Sequence, residues 1–372
     1  MRNAPAQRWI DSGDAVVVDS RNRTRLERMT AGSTVRKELL HRKLRAVLCA
    51  KIYANEYPDG GRIPAERELA LGYGLSRVTV RSTLAAMQAQ GLVSRRQGHG
   101  TRVTLRTGGF PSIVDPIAVI APAQNPFFAS FIRHLEAAAE AHDALVVFKQ
   151  ATARSVVDSL FSFYQRDIRN AVLWPYDEPV EIEKLQRLRG LGMNLVLFDR
   201  TIGVPWADCV TVDNGHAVRT LRAHLAAQGA RRIGYLGWEN DVLTSNLERE
   251  TAFVEMEGPD RLVRIPWTKE TGLERLIPSL VRSMIDRADA LLCGNGVIGI
   301  EVGRYVRGAG LSQRVACVDD LPGASDIGLT AYSQPMDRLS NTAYRLLAAQ
   351  SASAGGWKAG IYRLEGSLVV RA

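Results

Sequence analysis

Residues 63–81 read IPAERELALGYGLSRVTVR and carry the strongest local signal in the chain. Pro64 occupies a position that is favoured in the first turn of a helix, because its missing N–H would be unpaired there in any case. The Gly72-Tyr73-Gly74 triplet ends that helix in a tight turn. Ser76 is a natural N-cap for the helix that follows. The stretch therefore predicts a helix, a turn and a second helix.

The second of these helices is predicted to be apolar on one side and polar on the other. Val80, Leu84 and Met87 repeat at the i, i+4, i+7 spacing of a buried stripe. The residues off that stripe are Arg77, Val78, Thr79 and Arg81. A helix-turn-helix whose second helix begins with a polar, basic turn has the geometry that fits the major groove of DNA.

The flanking residues extend this motif into a small domain. A helix is predicted over residues 34–54, where Leu40, Leu44 and Leu48 fall on one stripe. After Gly91, residues 92–94 and 101–103 are predicted to form two strands joined by the basic turn RRQGHG. The predicted domain thus covers residues 34–103.

The distribution of charge supports a basic module on a near-neutral body. Residues 1–114 contain 20 Lys and Arg against 9 Asp and Glu, a net charge of +11, whereas residues 115–372 are at −2. A protein that meets a polyanion through one end has this footprint. Residues 1–33 are Arg-rich and aperiodic, and we expect a disordered basic extension there.

Composition narrows the class of protein. A chain of 372 residues with 46% hydrophobic and 23% charged residues is expected to fold as two or three soluble units. Its four cysteines lie far apart and suggest a reducing compartment. No apolar run has the length of a membrane span, and the N-terminus lacks a signal-peptide core. We therefore expect a cytoplasmic protein without membrane contact.

From residue 116 onward, short apolar strands alternate with amphipathic helices. This rhythm predicts an α/β fold with parallel, doubly wound sheets, and two successive sets of strands predict two lobes with a cleft between them. Ligands bind at the carboxyl ends of the strands in such sheets. Gly108, Gly109 and Pro111 indicate a linker over residues 104–115. The sequence thus predicts a two-lobed ligand-binding domain over residues 116–372. The resemblance described below implies that it binds an effector and mediates dimerisation.

The chain lacks the motifs of the common enzyme classes. It contains no glycine-rich phosphate loop after a strand, no His/Cys metal spacing and no G-x-S-x-G elbow. Residues 294–299 read GNGVIG, a loose dinucleotide fingerprint that comes late in the domain. We expect no enzyme activity, no cofactor and no metal.

Residues 36–103 resemble the GntR family of winged helix-turn-helix proteins. The resemblance rests on residues 63–70, residues 74–81, Gly91-Leu92-Val93 and Gly98-His99-Gly100-Thr101, in that order. It implies double-stranded DNA as a partner, with Arg77 and Arg81 as base readers and Gly98 at a wing tip in or near the minor groove. The full set of implied DNA-binding residues is Arg67, Ser76, Arg77, Thr79, Arg81, Gln97, Gly98 and His99.

Residues 116–372 resemble the effector domain of LacI-type regulators, which is similar to periplasmic sugar-binding proteins. The matching segments are Ile120-Ala121-Pro122, Asn125-Pro126-Phe127-Phe128, Leu197-Phe198-Asp199-Arg200, Val212-Asp213-Asn214, residues 229–235, residues 291–295 and residues 318–322. The resemblance places Phe127, Phe128, Asp199, Arg249, Asn295, Asp319 and Gln334 in the cleft. Trp174 and Trp238 each follow a predicted strand and could supply an aromatic face for a sugar, although core packing is the commoner role of such residues.

Together, the two resemblances imply a homodimeric transcription regulator, a repressor as first choice, that binds a palindromic operator and releases it when a small effector enters the cleft. A sugar is the expected effector. The alternatives are a sensor of nucleosides or purines and a sugar-binding module without DNA-binding activity.

Overall fold

The computed structural model describes residues 38–96, 99–105, 113–123, 127–151, 156–175, 179–240, 242–267, 272–352 and 357–371. The basic extension predicted over residues 1–33 lies outside these ranges. The chain divides into two compact units, Met1–Val103 and Thr104–Ala372. The described ends of the predicted linker, residues 104–105 and 113–115, thus group with the second unit.

The first unit combines three helices with a small antiparallel sheet of order β1-β3-β2. The helices are α1 (residues 38–53), α2 (Glu66–Tyr73) and α3 (Arg77–Ala89), and the strands are β1 (Arg62–Ile63), β2 (Val93–Arg96) and β3 (Gly100–Val103). Leu48, Ile52, Val80, Leu84 and Met87 are fully buried, so the apolar stripes of α1 and α3 form the core.

Strand β1 was not predicted, because it is only two residues long. It pairs with β3 through Arg62 and Arg102, and Ile63 lies in the core. Strand β2 is longer than predicted and continues through Arg96, so three residues separate it from β3 where six were expected.

The second unit contains two six-stranded sheets, which we call lobe 1 and lobe 2 with their covering helices. Lobe 1 has the order β14-β8-β7-β6-β4-β5, and all its pairings are parallel. Its strands are β4 (Ile117–Ala121), β5 (Val146–Gln150), β6 (Asn170–Leu173), β7 (Asn194–Phe198), β8 (Asp208–Val212) and β14 (Ile361–Leu364). Its helices are α4 (Phe128–Glu140), α5 (Val156–Tyr164), α6 (Ile182–Gly190) and α12 (Met336–Ala352).

Lobe 2 has the order β10-β9-β11-β12-β13-β15, parallel except for the last pair. Its strands are β9 (Ile233–Glu239), β10 (Leu262–Pro266), β11 (Ala290–Cys293), β12 (Arg314–Val318), β13 (Thr330–Ser333) and β15 (Ser367–Val369). Its helices are α7 (Asn214–Ala227), α8 (Thr244–Glu257), α9 (Leu273–Met284), α10 (Gly296–Gly308) and α11 (Pro322–Asp326). The prediction of two parallel sheets with helices is confirmed.

Three clusters of buried hydrophobic side chains stabilise the two lobes. In lobe 1, α4 and α12 pack on one face of the sheet around Phe131, Phe198 and Leu347. In lobe 2, α9 and α10 cover one face, and α7 and α8 cover the other. Buried aliphatic strands with helices over them are typical of parallel sheets. All four cysteines are buried and free.

The described chain crosses between the lobes at three places. It leaves lobe 1 after β8, returns after β13 into α12, and leaves again between β14 and β15. Because these crossings lie side by side at the carboxyl ends of strands, side chains from both lobes converge there. Asp213 donates its N–H to the Leu364 carbonyl at 2.9 Å, which ties the first crossing to the third.

Candidate functional site

The first turn of α3 is fixed by Ser76. Its side chain accepts the Thr79 N–H at 3.1 Å, and the two hydroxyls lie 2.8 Å apart. The cap satisfies one of the N–H groups that a helix leaves unpaired at its start. Ser76 therefore sets where the basic turn of this helix begins.

The exposed side of α3 carries Arg77, Val78 and Arg81. Thr79 was predicted to lie with them, but its residue is only 6% exposed. Its hydroxyl meets Ser76 and it precedes the buried Val80, so the helical period turns it towards the core. The structure thus removes Thr79 from the exposed face and keeps Ser76, Arg77 and Arg81 on it.

A single carboxylate, Glu66, organises two of the arginines. Glu66 Oε2 lies 3.2 Å from Arg81 Nε, and Oε1 accepts a hydrogen bond from Arg95 Nη2. The Glu66 side chain is 17% exposed, whereas that of Arg81 is 60% exposed. Glu66 is separated from its partners by 15 and 29 residues, so these two contacts could not be predicted from local sequence. Arg67, its neighbour on α2, is exposed as a phosphate contact requires.

The β2–β3 hairpin extends the basic surface. Arg96, His99 and Arg102 are exposed on it, and Arg62 of β1 lies alongside. Gly100 has a φ of +77°, and a Cβ there would meet Arg62 Nε at 3.3 Å. Glycine thus permits both the backbone turn and the close approach of an arginine. Gln97 and Gly98, predicted at the wing tip, lie outside the described residues.

The second unit gathers polar side chains where strands of both lobes end. Asp199 follows β7 of lobe 1, whereas Asn295, Asp319 and Gln334 follow β11, β12 and β13 of lobe 2. Arg249 reaches the same place from α8. We call these five residues the cleft cluster, and all five were predicted cleft residues.

Asp319 lies at the centre of the cleft cluster and is 1% exposed. Asn295 Nδ2 donates to its Oδ2 at 3.2 Å, Gln334 Nε2 donates to its Oδ1, and Arg249 Nη1 lies 3.6 Å from its Oδ2. Donors from two strand ends and a helix thus converge on one carboxylate, which can present a fixed acceptor to a ligand.

Arg249 is 3% exposed and is held by further bonds. Its Nε donates to Asn214 Oδ1 at 2.8 Å, and its Nη1 donates to the Gly294 carbonyl at 2.8 Å. Asn214 is itself buried and donates to Glu248 Oε2 at 2.8 Å. The Val212-Asp213-Asn214 motif was noted in the sequence, but Asn214 was not predicted to orient the arginine.

Asp199 has a perturbed pKa. Loss of hydration raises the pKa of its carboxyl to about 7, an effect that Arg249 opposes and that Asp319 reinforces. The side chain of Trp174 also hydrogen-bonds the carboxylate. Since Asp199 accepts protons near neutral pH, it can act as donor or acceptor towards a hydroxyl.

Trp174 was predicted as a possible aromatic face for a ligand, and the structure buries its ring in lobe 1. The residue is 3% exposed, and its ring packs edge-on against Phe131 and Phe198, with centroid distances of 5.5 and 4.9 Å. Its ring therefore belongs to the core of lobe 1, and its role towards the cleft is the hydrogen bond to Asp199.

The remaining aromatic residues lie around the lobes. Phe127 is half-buried and packs against the cores of both lobes, whereas Phe128 packs on Phe148 at 4.5 Å. Trp238 at the end of β9 meets Trp267, just after β10, at 5.3 Å and 89°. Trp267 was not predicted. It follows the carboxyl end of a strand, the position that suggested Trp238.

The described residues lack two further kinds of site or segment. They contain no group of three or more His, Cys, Asp or Glu side chains that could hold a metal ion. They also contain no helix that combines the length and apolarity needed to cross a membrane.

Comparison with known proteins agrees with these geometries. Residues 40–103 match the model of the bacterial regulatory proteins of the gntR family, and residues 223–372 match a periplasmic binding protein-like domain. A "HTH-type transcriptional regulator Rv0792c" of Mycobacterium tuberculosis (strain ATCC 25618 / H37Rv) is 51% identical over 61 residues, 16% of this chain and 23% of that protein. A probable fructoselysine utilization operon transcriptional repressor of Escherichia coli (strain K12) is 36% identical over 75 residues, 20% of this chain and 31% of that protein. The chain thus spans about a quarter to a third of the length of these relatives.

Solved structures resemble about two thirds or more of the chain. A LacI transcriptional regulator from a Rhodococcus species aligns with a TM-score of 0.58 and 18% identity over 69% of this chain and 97% of that one. A complex of the transcriptional regulator CelR with cellobiose aligns with a TM-score of 0.60 and 19% identity over 83% of this chain and 99% of that one. A LacI family regulator from Enterococcus faecium with bound ribose aligns with a TM-score of 0.58 and 19% identity over 69% of this chain and 97% of that one. At these identities the likeness establishes the fold. The chain therefore joins a DNA-binding domain of the gntR family to a domain with the fold of periplasmic binding proteins and LacI-type regulators.

Proposed function

We propose that this protein is a sequence-specific transcription regulator whose affinity for an operator is controlled by a small molecule bound between the two lobes. The observation that carries the proposal is the presence, in one chain, of a capped basic recognition helix and a buried Asp–Arg–Asn cluster at the meeting point of two parallel sheets. Repression relieved by the effector is the mode we propose, in line with the repressor relative of Escherichia coli.

The DNA-binding part of the proposal rests on the exposed face of α3. An arginine can pair with guanine through two hydrogen bonds, so Arg77 and Arg81 are the proposed base readers. Arg67 is proposed to hold a phosphate, and the hairpin with Gln97, Gly98 and His99 is proposed to reach the minor groove. The net charge of +11 on residues 1–114 supplies the attraction that does not depend on sequence.

The effector part rests on the cleft cluster. Planar carboxylate, amide and guanidinium groups can each bond two adjacent hydroxyls, so Asp319, Asn295 and Arg249 suit a sugar. Trp238 and Trp267 offer ring faces for the apolar side of a pyranose or furanose. Cellobiose and ribose are bound by two proteins with this fold. We therefore propose a sugar or sugar derivative as the effector.

We further propose that two copies pair through the second unit and bind a palindromic operator. Strand β5 is an edge strand whose Val147 and Phe148 are 37% and 38% exposed, and the adjacent Leu145 is 69% exposed. An open strand edge with apolar side chains favours association with another chain. A twofold pair would present two α3 helices to two half-sites.

The test is a thermal-shift screen against monosaccharides, sugar acids, oligosaccharides and nucleosides, combined with two variants. A sugar that binds should raise the melting temperature of the wild type, because ligands that bind only the folded state stabilise it. Asp319→Ala should lose that shift and keep DNA binding. Arg81→Ala should keep the shift and weaken operator binding by about tenfold to a hundredfold, the loss expected for one bidentate base contact.

The outcomes separate the alternatives. If only nucleosides raise the melting temperature, the protein would still be a regulator, but its effector would be a nucleoside and not a sugar. Unchanged operator binding by Arg81→Ala would contradict the assignment of the recognition helix, and a sugar shift without any DNA binding would favour a plain binding module.

A further inference from the structure

Polar residues occupy the first position of three adjacent strands in lobe 1. Asn170 begins β6, Asn194 begins β7 and Asp208 begins β8, and each is at most 1% exposed. Buried Arg189, Gln350 and Ser351 complete a hydrogen-bonded group with them. We call these six residues the base cluster. It lies at the amino ends of the strands, opposite the edge that carries Asp199.

The base cluster holds the segment that leads to the DNA-binding unit. Asn170 Nδ2 donates to the Ile113 carbonyl at 2.8 Å. Gly190, next to Arg189 at the end of α6, lies so close to Leu105 that an added Cβ would be 2.8 Å from Leu105 Cβ. Both described ends of the predicted linker are therefore fastened at this edge of lobe 1.

The base cluster also holds two of the segments that cross between the lobes. Helix α12, which follows the second crossing, ends here: Gln350 Nε2 donates to Asp208 Oδ2 at 2.7 Å, and Ser351 Oγ donates to Asn170 Oδ1 at 3.0 Å. Strand β14, which leads to the third crossing, starts here. Gly360 N–H donates to Asp208 Oδ1 at 2.9 Å.

The opposite end of α12 lies at the cleft. Gln334 donates to Asp319 and precedes the first turn of α12 by two residues. A helix of 17 residues thus connects the cleft cluster to the base cluster. Its buried face, with Leu339, Ala343 and Leu347, packs into the lobe 1 core, so it is held along its length.

The base cluster is expected to move as one body. Loss of hydration lowers the pKa of Arg189 to about 10 and raises that of Asp208, so both groups depend on their partners. Arg189 donates to the carbonyls of Trp206 and Met193 and to Asn194 Oδ1, and it stacks on Trp357 at 4.8 Å. A buried polar network that loses one member leaves the others unpaired, which makes partial opening costly.

We propose that the base cluster is the anchor through which the arrangement of the lobes is passed to the linker. A ligand that changes the angle between the lobes acts on the crossing segments, and α12 and β14 carry that change to Asn170 and Asp208. The linker, fastened by Asn170 and Gly190, follows. This inference rests on the proposed function, since it names the route by which the cleft would control the DNA-binding unit.

The first test displaces the linker from lobe 1 by adding a methyl group at a position that has no room for it. In Gly190→Ala the new methyl group requires Leu105 to leave its place. Hydrogen exchange of the full chain, followed by mass spectrometry, should show the amides of residues 104–115 exchanging about tenfold faster. Leu105→Ala, which removes the same contact without adding volume, should give the same increase. Gly308→Ala is the matched control, because no atom lies within 4 Å of its added Cβ.

Linker exchange at the wild-type rate in both Gly190→Ala and Leu105→Ala would overturn the anchor. This measurement uses neither DNA nor an effector, so it stands apart from the proposed function.

The second test is a double-mutant cycle on DNA binding by the full chain, with a duplex that the wild type selects from a random DNA pool. Gln334→Ala should change the affinity by about fivefold, within the usual range of coupling between sites. In the Gly190→Ala background the same change should fall below about twofold. Equal effects in both backgrounds, or no effect of Gln334→Ala in the wild type, would overturn the relay. Failure to select any duplex would overturn the proposed function and the relay with it, and the exchange experiment would still decide the anchor.

Discussion

At the scale of single residues, Asp199 and Asp319 both interact with the positive charge of Arg249. Asp199 and Asp319 follow strands of different lobes, and their φ angles of +60° and +80° lie in the left-handed region. Asp and Asn tolerate that region better than most residues, because their short polar side chains bond locally. Arg249 attracts both carboxylates, and Asp319 is the closer partner at 3.6 Å. Loss of hydration outweighs the attraction of Arg249 at Asp199, so the pKa of this carboxyl is raised.

This arrangement predicts a pH-dependent stability. The folded Asp199 has a pKa of about 7, against 3.8 for an ordinary aspartate side chain. Between these values the folded protein binds a proton that the unfolded chain has released, so stability should fall as pH rises from about 4 to 7. Asp199→Asn should remove this part of the slope in melting curves recorded across that range. The exposed Asp326→Asn is the control, and equal slopes in all three proteins would contradict the prediction.

Gly296 predicts a second effect at this scale. An added Cβ would lie 2.6 Å from the Asp319 carbonyl oxygen, which is backbone and has little room to shift. Gly296→Ala should cost about 1–3 kcal/mol of unfolding free energy in urea titrations, the usual range for overpacking. Gly308→Ala, at the other end of the same helix, meets no atom and should be neutral or slightly stabilising. A similar loss in both variants would point to helix α10 as a whole and not to the contact with Asp319.

The residues that sequence predicted best are those fixed by local chemistry. Asn295 and Asp319 lie within two residues of the ends of apolar strands, and the topology of parallel sheets brings such positions together. Asn214 and Glu66 could not be assigned in this way, because their partners lie 15 to 35 residues away and depend on packing. Trp174 was placed in the cleft because it follows a strand, but the alternation of that strand continues through it into the core.

At the scale of elements, α3 depends on its cap more than on its composition. It contains three threonine and valine residues in its first four positions after Ser76, which favour strands over helices. Its first turn lacks acidic residues that would favour the dipole. The hydroxyl of Ser76 and the buried stripe of Val80, Leu84 and Met87 therefore hold it in place.

Ser76→Ala should accordingly destabilise the first unit by about 1 kcal/mol, the typical value of a lost N-cap. Ser76→Asn, which can accept the same hydrogen bond from Thr79, should retain most of that stability. Hydrogen exchange of the α3 amides would report the difference directly, and it does not require the two units to unfold together. Equal exchange of the α3 amides in Ser76→Ala and the wild type would mean that the Ser76 cap does not stabilise this helix.

Three of the strands that the sequence did not predict share a physical reason. Strands β1, β13 and β14 are two to four residues long, and β14 is largely exposed, so none offers a sustained apolar period. Their pairing comes from distant segments, as in the register of Ile361 with Cys209. The long helices and most of the buried strands were placed by their own spacing, but the buried strand β8 was also missed.

At the scale of the whole molecule, the excess positive charge and the cleft cluster lie in different parts of the chain. The positive excess lies in residues 1–114, and the second unit is close to neutral. Binding to DNA should therefore weaken steeply with salt, since each phosphate that is neutralised releases counterions. The dependence should come from arginines of the first unit alone.

Arg96→Ala tests this distribution. Removing one phosphate contact should lower the slope of log affinity against log salt by about one. Arg345→Ala, an exposed arginine on α12, removes the same charge from the second unit and should leave the slope unchanged. Affinities of the full chain for a random duplex, measured from about 50 to 200 mM salt, give both slopes. Equal slopes for the two variants would mean that DNA also contacts the second unit.

Strand β7 has Asn194 at one end and Asp199 just beyond the other, and this has a practical consequence for engineering. At about 3.3 Å per residue, these residues stand about 17 Å apart on one stiff, buried strand. Under the proposed function, substitutions that change effector specificity would lie at the carboxyl end of this strand. The residues that contact Ile113 and Leu105 lie at the other edge of the sheet. A biosensor built on this scaffold can be retuned by libraries confined to the strand ends that face the cleft, with the residues that hold the linker left untouched.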